Sequence, residues 1–206
     1  ERESMLSWIS RIVGYNTPTT IIECAKEGYM AGLENFEGDV DELRGPDGCT
    51  ALMVACQHGQ IEFAQKLLTM GADLDARSGQ KFTPLHVAVY SQAENVLIMS
   101  LLKRGAALEA CDQNDFTPLH MACTENCLRL VKLLIEEGAD INAQTNMGFT
   151  PLIVASCNGF LDIVDYLIEK KADGKLRTFK GLETAAIFSV RSKQTEITKR
   201  LLKAYP

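Results

Sequence analysis

Apolar residues along this chain recur at helical spacing in pairs of short segments, and the pairs themselves recur. Ile61, Ala64, Leu67 and Leu68 share one face of a helix, as do Leu130, Val131, Leu133 and Leu134, and again Ile163, Val164, Leu167 and Ile168. Each such segment follows a shorter one with a fixed opening: Thr50-Ala51-Leu52-Met53, Thr83-Pro84-Leu85-His86, Thr117-Pro118-Leu119-His120, Thr150-Pro151-Leu152-Ile153 and, more degenerate, Thr184-Ala185-Ala186-Ile187. The threonines step by 33 or 34 residues. Gly71-Ala72-Asp73, Gly105-Ala106-Ala107, Gly138-Ala139-Asp140 and Lys171-Ala172-Asp173 keep the same pace. Two independent landmarks at one period establish an internal repeat, and the pattern predicts a series of inner and outer helices.

The opening tetrapeptide reads as a helix start. Thr accepts a hydrogen bond from a free N–H of the first turn, Pro fits the first helical position, where its missing N–H is not needed, and Leu points to the core. The ring of His86 or His120 is expected to bond the neighbouring turn and tie one repeat to the next. Inner helices are expected to stop at Gly59, Asn126 and Gly159, which tolerate the left-handed conformation. Gln92-Ala93 takes that place in one unit, with one extra residue between Thr83 and Gly105, so a looser turn is expected there.

Thr-Pro-Leu-His followed by Ala, then Gly-Ala-Asp, at this period, resembles the ankyrin repeat. The resemblance implies an all-α repeat solenoid in which each unit is an inner helix, a tight turn, an outer helix and a projecting β-turn finger. Residues 45–77, 78–111, 112–144 and 145–177 read as four well-formed units. Residues 19–44, where Thr19-Thr20-Ile21-Ile22 stands for the tetrapeptide, read as a degenerate N-terminal cap. Residues 178–206 read as a C-terminal cap whose polar outer surface is formed by Arg191, Lys193, Lys199 and Lys203. Met53 and Ile153 replace the His and lose one polar tie. Lys81 and Asp115 replace the finger glycine kept at Gly48 and Gly148, which should make positive φ less accessible there. Before the array, residues 1–18 hold a short amphipathic stretch at 4–13 with Met5, Trp8, Ile9 and Ile12 on one face. It reads either as a lid on the first repeat or as a docking helix for an upstream domain, and too few Lys or Arg line its polar face for contact with anionic lipid.

Composition narrows the function. The 206 residues are 46% hydrophobic and carry a net charge of −6, which argues against nucleic acid, and no apolar run is long enough for a bilayer. Seven cysteines follow no disulfide framework. Cys56 and Cys123 fall in small core positions, so the chain reads as cytoplasmic or nuclear. No phosphate loop, zincin motif or nucleophile elbow is present, His86 and His120 read as structural, and Cys123, Cys127 and Cys157 lack a fourth metal ligand. The expectation is therefore a non-catalytic protein-protein interaction module, a scaffold, adaptor or targeting domain, with no cofactor and no metal. The alternative is a structural spacer or regulatory domain of a larger protein or enzyme, with neighbouring domains at either end.

In the ankyrin fold the residue before each anchor Thr lies at the finger base, facing the concave side. Here these are Cys49, Phe82, Phe116, Phe149 and Glu183. The resemblance thus implies an aromatic ridge of Phe82, Phe116 and Phe149, extended by Tyr90 and Met147, with Arg77, Gln80, Asn114, Glu125 and Asn158 as its polar surround for a protein or peptide partner. Leu134, Asp140 and Asn142 also match the pattern preferred by the ankyrin-directed asparaginyl hydroxylase, which makes Asn142 a candidate for hydroxylation; its other reading is an Asn that ties the finger turn. Finally, residues 175–206 hold eight basic side chains against only Glu183 and Glu196, so this end is expected to favour an acidic partner.

Overall fold

The computed structural model describes residues 20–206 except 35, 37 and 46, so the stretch at 4–13 with Trp8 lies outside the described residues. The described residues form twelve helices: α1 (Ile21–Glu27), α2 (Ala31–Glu34), α3 (Ala51–Gln57), α4 (Ile61–Thr69), α5 (Pro84–Tyr90), α6 (Asn95–Lys103), α7 (Pro118–Thr124), α8 (Leu128–Glu136), α9 (Pro151–Asn158), α10 (Leu161–Glu169), α11 (Ala185–Arg191) and α12 (Thr195–Ala204). The odd-numbered inner helices stack one on the next from α1 to α11. Outer helices pack behind them, α4 on α6, α8 on α10 and α10 on α12. This is the all-helical solenoid that the repeat implied.

The inner helices begin where the anchor threonines stand. Thr50, Thr83, Thr117 and Thr150 each accept the N–H of the residue three positions on, and Pro occupies the first helical position of α5, α7 and α9. Leu52, Leu85, Leu119 and Leu152 follow, at most 1% exposed. Burying each contributes about 1.5–3 kcal/mol. Seven-residue helices are too short to be stable alone, and this burial between neighbours is what holds them.

The N-cap of the first inner helix stands one residue later than the tetrapeptide reading placed it, although its closing turn, Tyr29 N–H to Cys24 O at 2.9 Å, keeps the register of the other units. Thr20, not Thr19, caps α1: its Oγ1 accepts the Glu23 N–H at 3.1 Å, and Glu23 Oε2 accepts the Thr20 N–H at 3.2 Å. Glu23 thus completes a capping box from the third position of its helix, the place that His86 and His120 hold in α5 and α7.

The extra residue of the second well-formed unit does not loosen its turn. The Ala93 N–H reaches Ala88 O at 2.9 Å, as Gln60 reaches Ala55 and Cys127 reaches Ala122 in the tight turns. Gln92 takes φ 54° as Asn126 does. The added residue is Glu94, an extended N-cap at the mouth of α6. Arg129 spans this point, donating to Gln92 O and Ala93 O at 3.0 Å each and to Asn95 Oδ1.

The fingers close through Ser78→Phe82, Asp112→Phe116 and Thr145→Phe149 backbone bonds, and each is joined to the next by one main-chain bond: Gly79 to Asp47 O, Gln113 to Gln80 O, Asn146 to Asn114 O and Phe179 to Met147 O. Lys81 and Asp115 adopt φ 62° and 59° despite their side chains. The finger bonds impose that conformation, at a cost of about 1–2 kcal/mol per residue. Gly148 is under a second constraint: a Cβ there would stand 2.8 Å from the Phe179 backbone N.

The last pair departs from the expected polar end. Arg191, Lys193, Lys199 and Lys203 are exposed as anticipated, and Arg200 ties α12 to Asp165 of α10 at 3.3 Å. Apolar side chains nevertheless lie open among them: Ile187 is 46% exposed, Val190 62% and Leu202 59%.

Candidate functional site

The histidines of the tetrapeptide build the framework of the concave face. In His120, Nδ1 accepts the Thr117 N–H at 3.3 Å while Nε2 lies 2.9 Å from Phe149 O on the next finger. His86 does the same with Thr83 and Phe116 O, at 3.3 and 3.0 Å. An acceptor at Nδ1 and a donor at Nε2 specify the neutral ring. Burial lowers the pKa of both, that of His120 to about 4, against the upward pull of its bond to the Phe149 carbonyl. These rings are thus locked structural ties, with no proton to exchange near neutral pH.

The finger-base aromatics rest on this framework. Phe82 stacks on His86 with ring centroids 5.9 Å apart, Phe116 tilts against His120 at 5.4 Å, and Phe149 meets Phe188 of the last inner helix at 5.3 Å. All three are half-buried. Each ring is thus engaged on one side by the repeat framework and remains partly accessible.

Two grooves open between successive fingers on this side. One, of about 460 Å³, gathers Phe116, Met147, Phe149 and Val154 with the carboxamides of Asn114, Asn146 and Asn158. The other, of about 520 Å³, is formed by Cys49, Phe82, Val87 and Tyr90 with Gln57 and Gln80. Met147 is 49% exposed and Tyr90 54%, so each groove carries one accessible apolar side chain at its edge. Of the residues named from sequence, the structure brings Asn114, Phe116, Met147, Phe149 and Asn158 around the first groove, and Gln80, Phe82 and Tyr90 around the second.

Arg77 and Glu125 lie in neither groove. Arg77 Nη1 donates to Lys81 O at 3.0 Å and Cys111 O at 2.6 Å. It closes its own finger and braces the next, as Arg44 and Gln144 do. Glu125 ends α7, and its carbonyl accepts Gln92 Nε2 at 3.2 Å. Sequence reasoning missed Val87, Val154, Thr124 and Cys157. They stand four or seven residues after an anchor Thr, on the helix face that Tyr90 and Gln57 also occupy, so helical spacing alone would have found them.

The remaining candidates are structural in geometry. Asn142 Oδ1 accepts the Asp173 N–H at 2.7 Å, and its own N–H donates to Asp140 Oδ1 at 2.9 Å, so its side chain ties one finger to the next. Burial pushes the Cys56 thiol up to about 12 and raises that of Cys123 as well, which makes both poor nucleophiles. Cys157 lies by Ser192 Oγ at 3.7 Å. No helix among the described residues is long and apolar enough to cross a membrane.

Comparison with known proteins agrees with this geometry. A family model described as ankyrin repeats (3 copies) matches residues 21–106 and 97–178. A curated relative, the Ankyrin repeat and KH domain-containing protein mask-1 of Caenorhabditis elegans, is 39% identical over 70 residues. That stretch is 34% of this chain and 3% of the relative, so the match spans a small fraction of the relative's length.

Proposed function

The chain belongs to the ankyrin-repeat family, whose members are generally protein-protein interaction modules, and from that premise we propose that it is a non-catalytic scaffold, adaptor or targeting domain that holds a protein or peptide on its concave face. The observation that carries the reading is the pair of grooves between successive fingers, each with a half-buried phenyl floor and one exposed apolar side chain at its edge, Met147 or Tyr90. A bound segment would place apolar side chains against these anchors and satisfy its backbone on Asn114, Asn146, Asn158, Gln57 and Gln80, the arrangement of apolar centre and polar rim that protein recognition favours. The basic last pair would steer an acidic partner toward the C-terminal end of the groove.

Seven free thiols support a reducing compartment, cytoplasm or nucleus. One observation favours the second reading, a segment of a larger multidomain assembly: the apolar end left open at α11 and α12.

Selection of a displayed random peptide library on the chain tests the concave site. Peptides enriched on the chain are expected to lose at least tenfold in affinity for the Tyr90→Glu, Met147→Glu double variant, whose melting temperature should be unchanged because both side chains are half exposed. Equal binding by the folded variant would move the site off this face.

A further inference from the structure

The third and sixth positions of the inner helices α3, α5, α7 and α9 face the following unit. In α3 they are Met53 and Cys56, in α5 His86 and Val89, in α7 His120 and Cys123, and in α9 Ile153 and Ser156. All eight are at most 1% exposed, because the next inner helix covers them. The same positions in α11 are Ile187 and Val190, which are 46% and 62% exposed. The outer row repeats the contrast. Leu202 of α12, 59% exposed, corresponds to Ile168 of α10, which is partly buried and packed against the core.

A terminal unit that faces water replaces these positions with charged or polar residues. Here both inner positions are aliphatic, with no hydrogen-bonding group to satisfy, and they continue the stacking surface that joins every preceding pair. We propose that this end of the solenoid is a docking face for a further helix pair of the same kind, supplied by polypeptide outside these 206 residues and stacked in register on α11 and α12. The occupant follows from continuity with the established interface between repeats: the open side chains occupy the positions that an inner helix covers four times within the array. A side-on peptide would leave the outer-row Leu202 uncovered, whereas a helix pair covers both rows.

The register supplies the probe. Pro206 stands where Ala172 stands in the preceding unit, so repeating residues 173–206 after Pro206 adds one helix pair in phase with the array. Hydrogen exchange followed by mass spectrometry is then compared for α11 and α12 in the 206-residue chain and in the extended chain. The docking face predicts exchange at least tenfold slower in the extended chain. The gain should be lost in an extended chain carrying Ile187→Lys and Val190→Glu in the first copy. In the 206-residue chain the same two changes, at exposed positions, should leave the melting transition in place. Exchange in α11 and α12 that stays within twofold on extension would overturn the proposal. Sedimentation of the 206-residue chain over a range of concentrations should show a monomer; self-association abolished by the same two substitutions would assign the face to a second copy and overturn it equally.

Discussion

Acidification probes the imidazole ties directly. His120 is wholly buried, with Nδ1 committed to the Thr117 N–H and Nε2 to Phe149 O. A proton added at Nδ1 would face a donor and charge a ring cut off from water. Burial accordingly lowers its pKa from 6.5 to about 4, although Phe149 O, the Ala143 backbone, Asp112 and Asp140 all pull upward. Because the folded value lies below the unfolded one, the unfolded chain binds more protons between the two. The stabilisation is complete above about pH 6.5 and is lost as pH falls toward 4. The full gap corresponds to about 3 kcal/mol, of which about 2 kcal/mol is lost by pH 5. His86 is shifted the same way for the same first cause and adds to the loss. Urea melts at pH 7 and pH 5 measure it, with His120→Met as the control, since a buried Met53 fills that position in the second pair. The variant should be weaker at pH 7 by about 1–2 kcal/mol, from two lost hydrogen bonds. Its further fall on acidification should be smaller than that of the parent chain by about 2 kcal/mol. Equal falls in both proteins would refute a neutral, buried imidazole.

Two further perturbations test the packing. Leu119→Ala removes a side chain 1% exposed between the third and fifth inner helices, α5 and α9, and should cost about 2–5 kcal/mol in an equilibrium melt, with hydrogen exchange in α5 and α9 accelerating as well. Gly148→Ala meets both a φ of 82° and a Cβ 2.8 Å from Phe179 N, whereas Gly105→Ala meets a φ of 95° with open space around it. Both should lower the melting temperature, Gly148→Ala by clearly more, and equal shifts would mean that the fingers do not approach as closely as described.

The fold was legible because its signals are local and periodic. Thr50, Thr83, Thr117 and Thr150 cap helices through their own hydroxyls, and Leu52, Leu85, Leu119 and Leu152 bury by position. Where the reading slipped, a hydrogen bond that residue types alone do not reveal decided the outcome. Thr19 and Thr20 are equivalent by type, and only the reciprocal bond with Glu23 selects Thr20. Glu94 could have loosened either side of a turn, and the Ala93 to Ala88 bond places it on the outer helix. The candidate site was half legible for the same reason. Phenyl rings before each anchor were visible as residues, but their division between the histidines, Phe188 and the open groove depends on the next repeat. Arg77 was visible as an exposed charge, but its bond to Cys111 O, 34 residues away, by which it braces the fingers, was not.

The finger-to-finger bonds carry a mechanical consequence. One main-chain hydrogen bond joins each finger from Asp47 to its successor, so this side of the array is held at a fixed spacing by directional links. The helical side is held mainly by apolar contacts, which tolerate sliding and splaying at little cost for small displacements, with a few side-chain ties such as Arg129 to Gln92 O and Arg200 to Asp165. A body pinned along one margin and compliant along the other bends about the pinned margin. The fingers therefore act as the spine of a bow: the concave face can open or tighten around a ligand by fanning the helices while the finger margin keeps its length. Curvature then becomes the adjustable quantity, and the two grooves, lying beside the spine, change width less than any site farther along the helices.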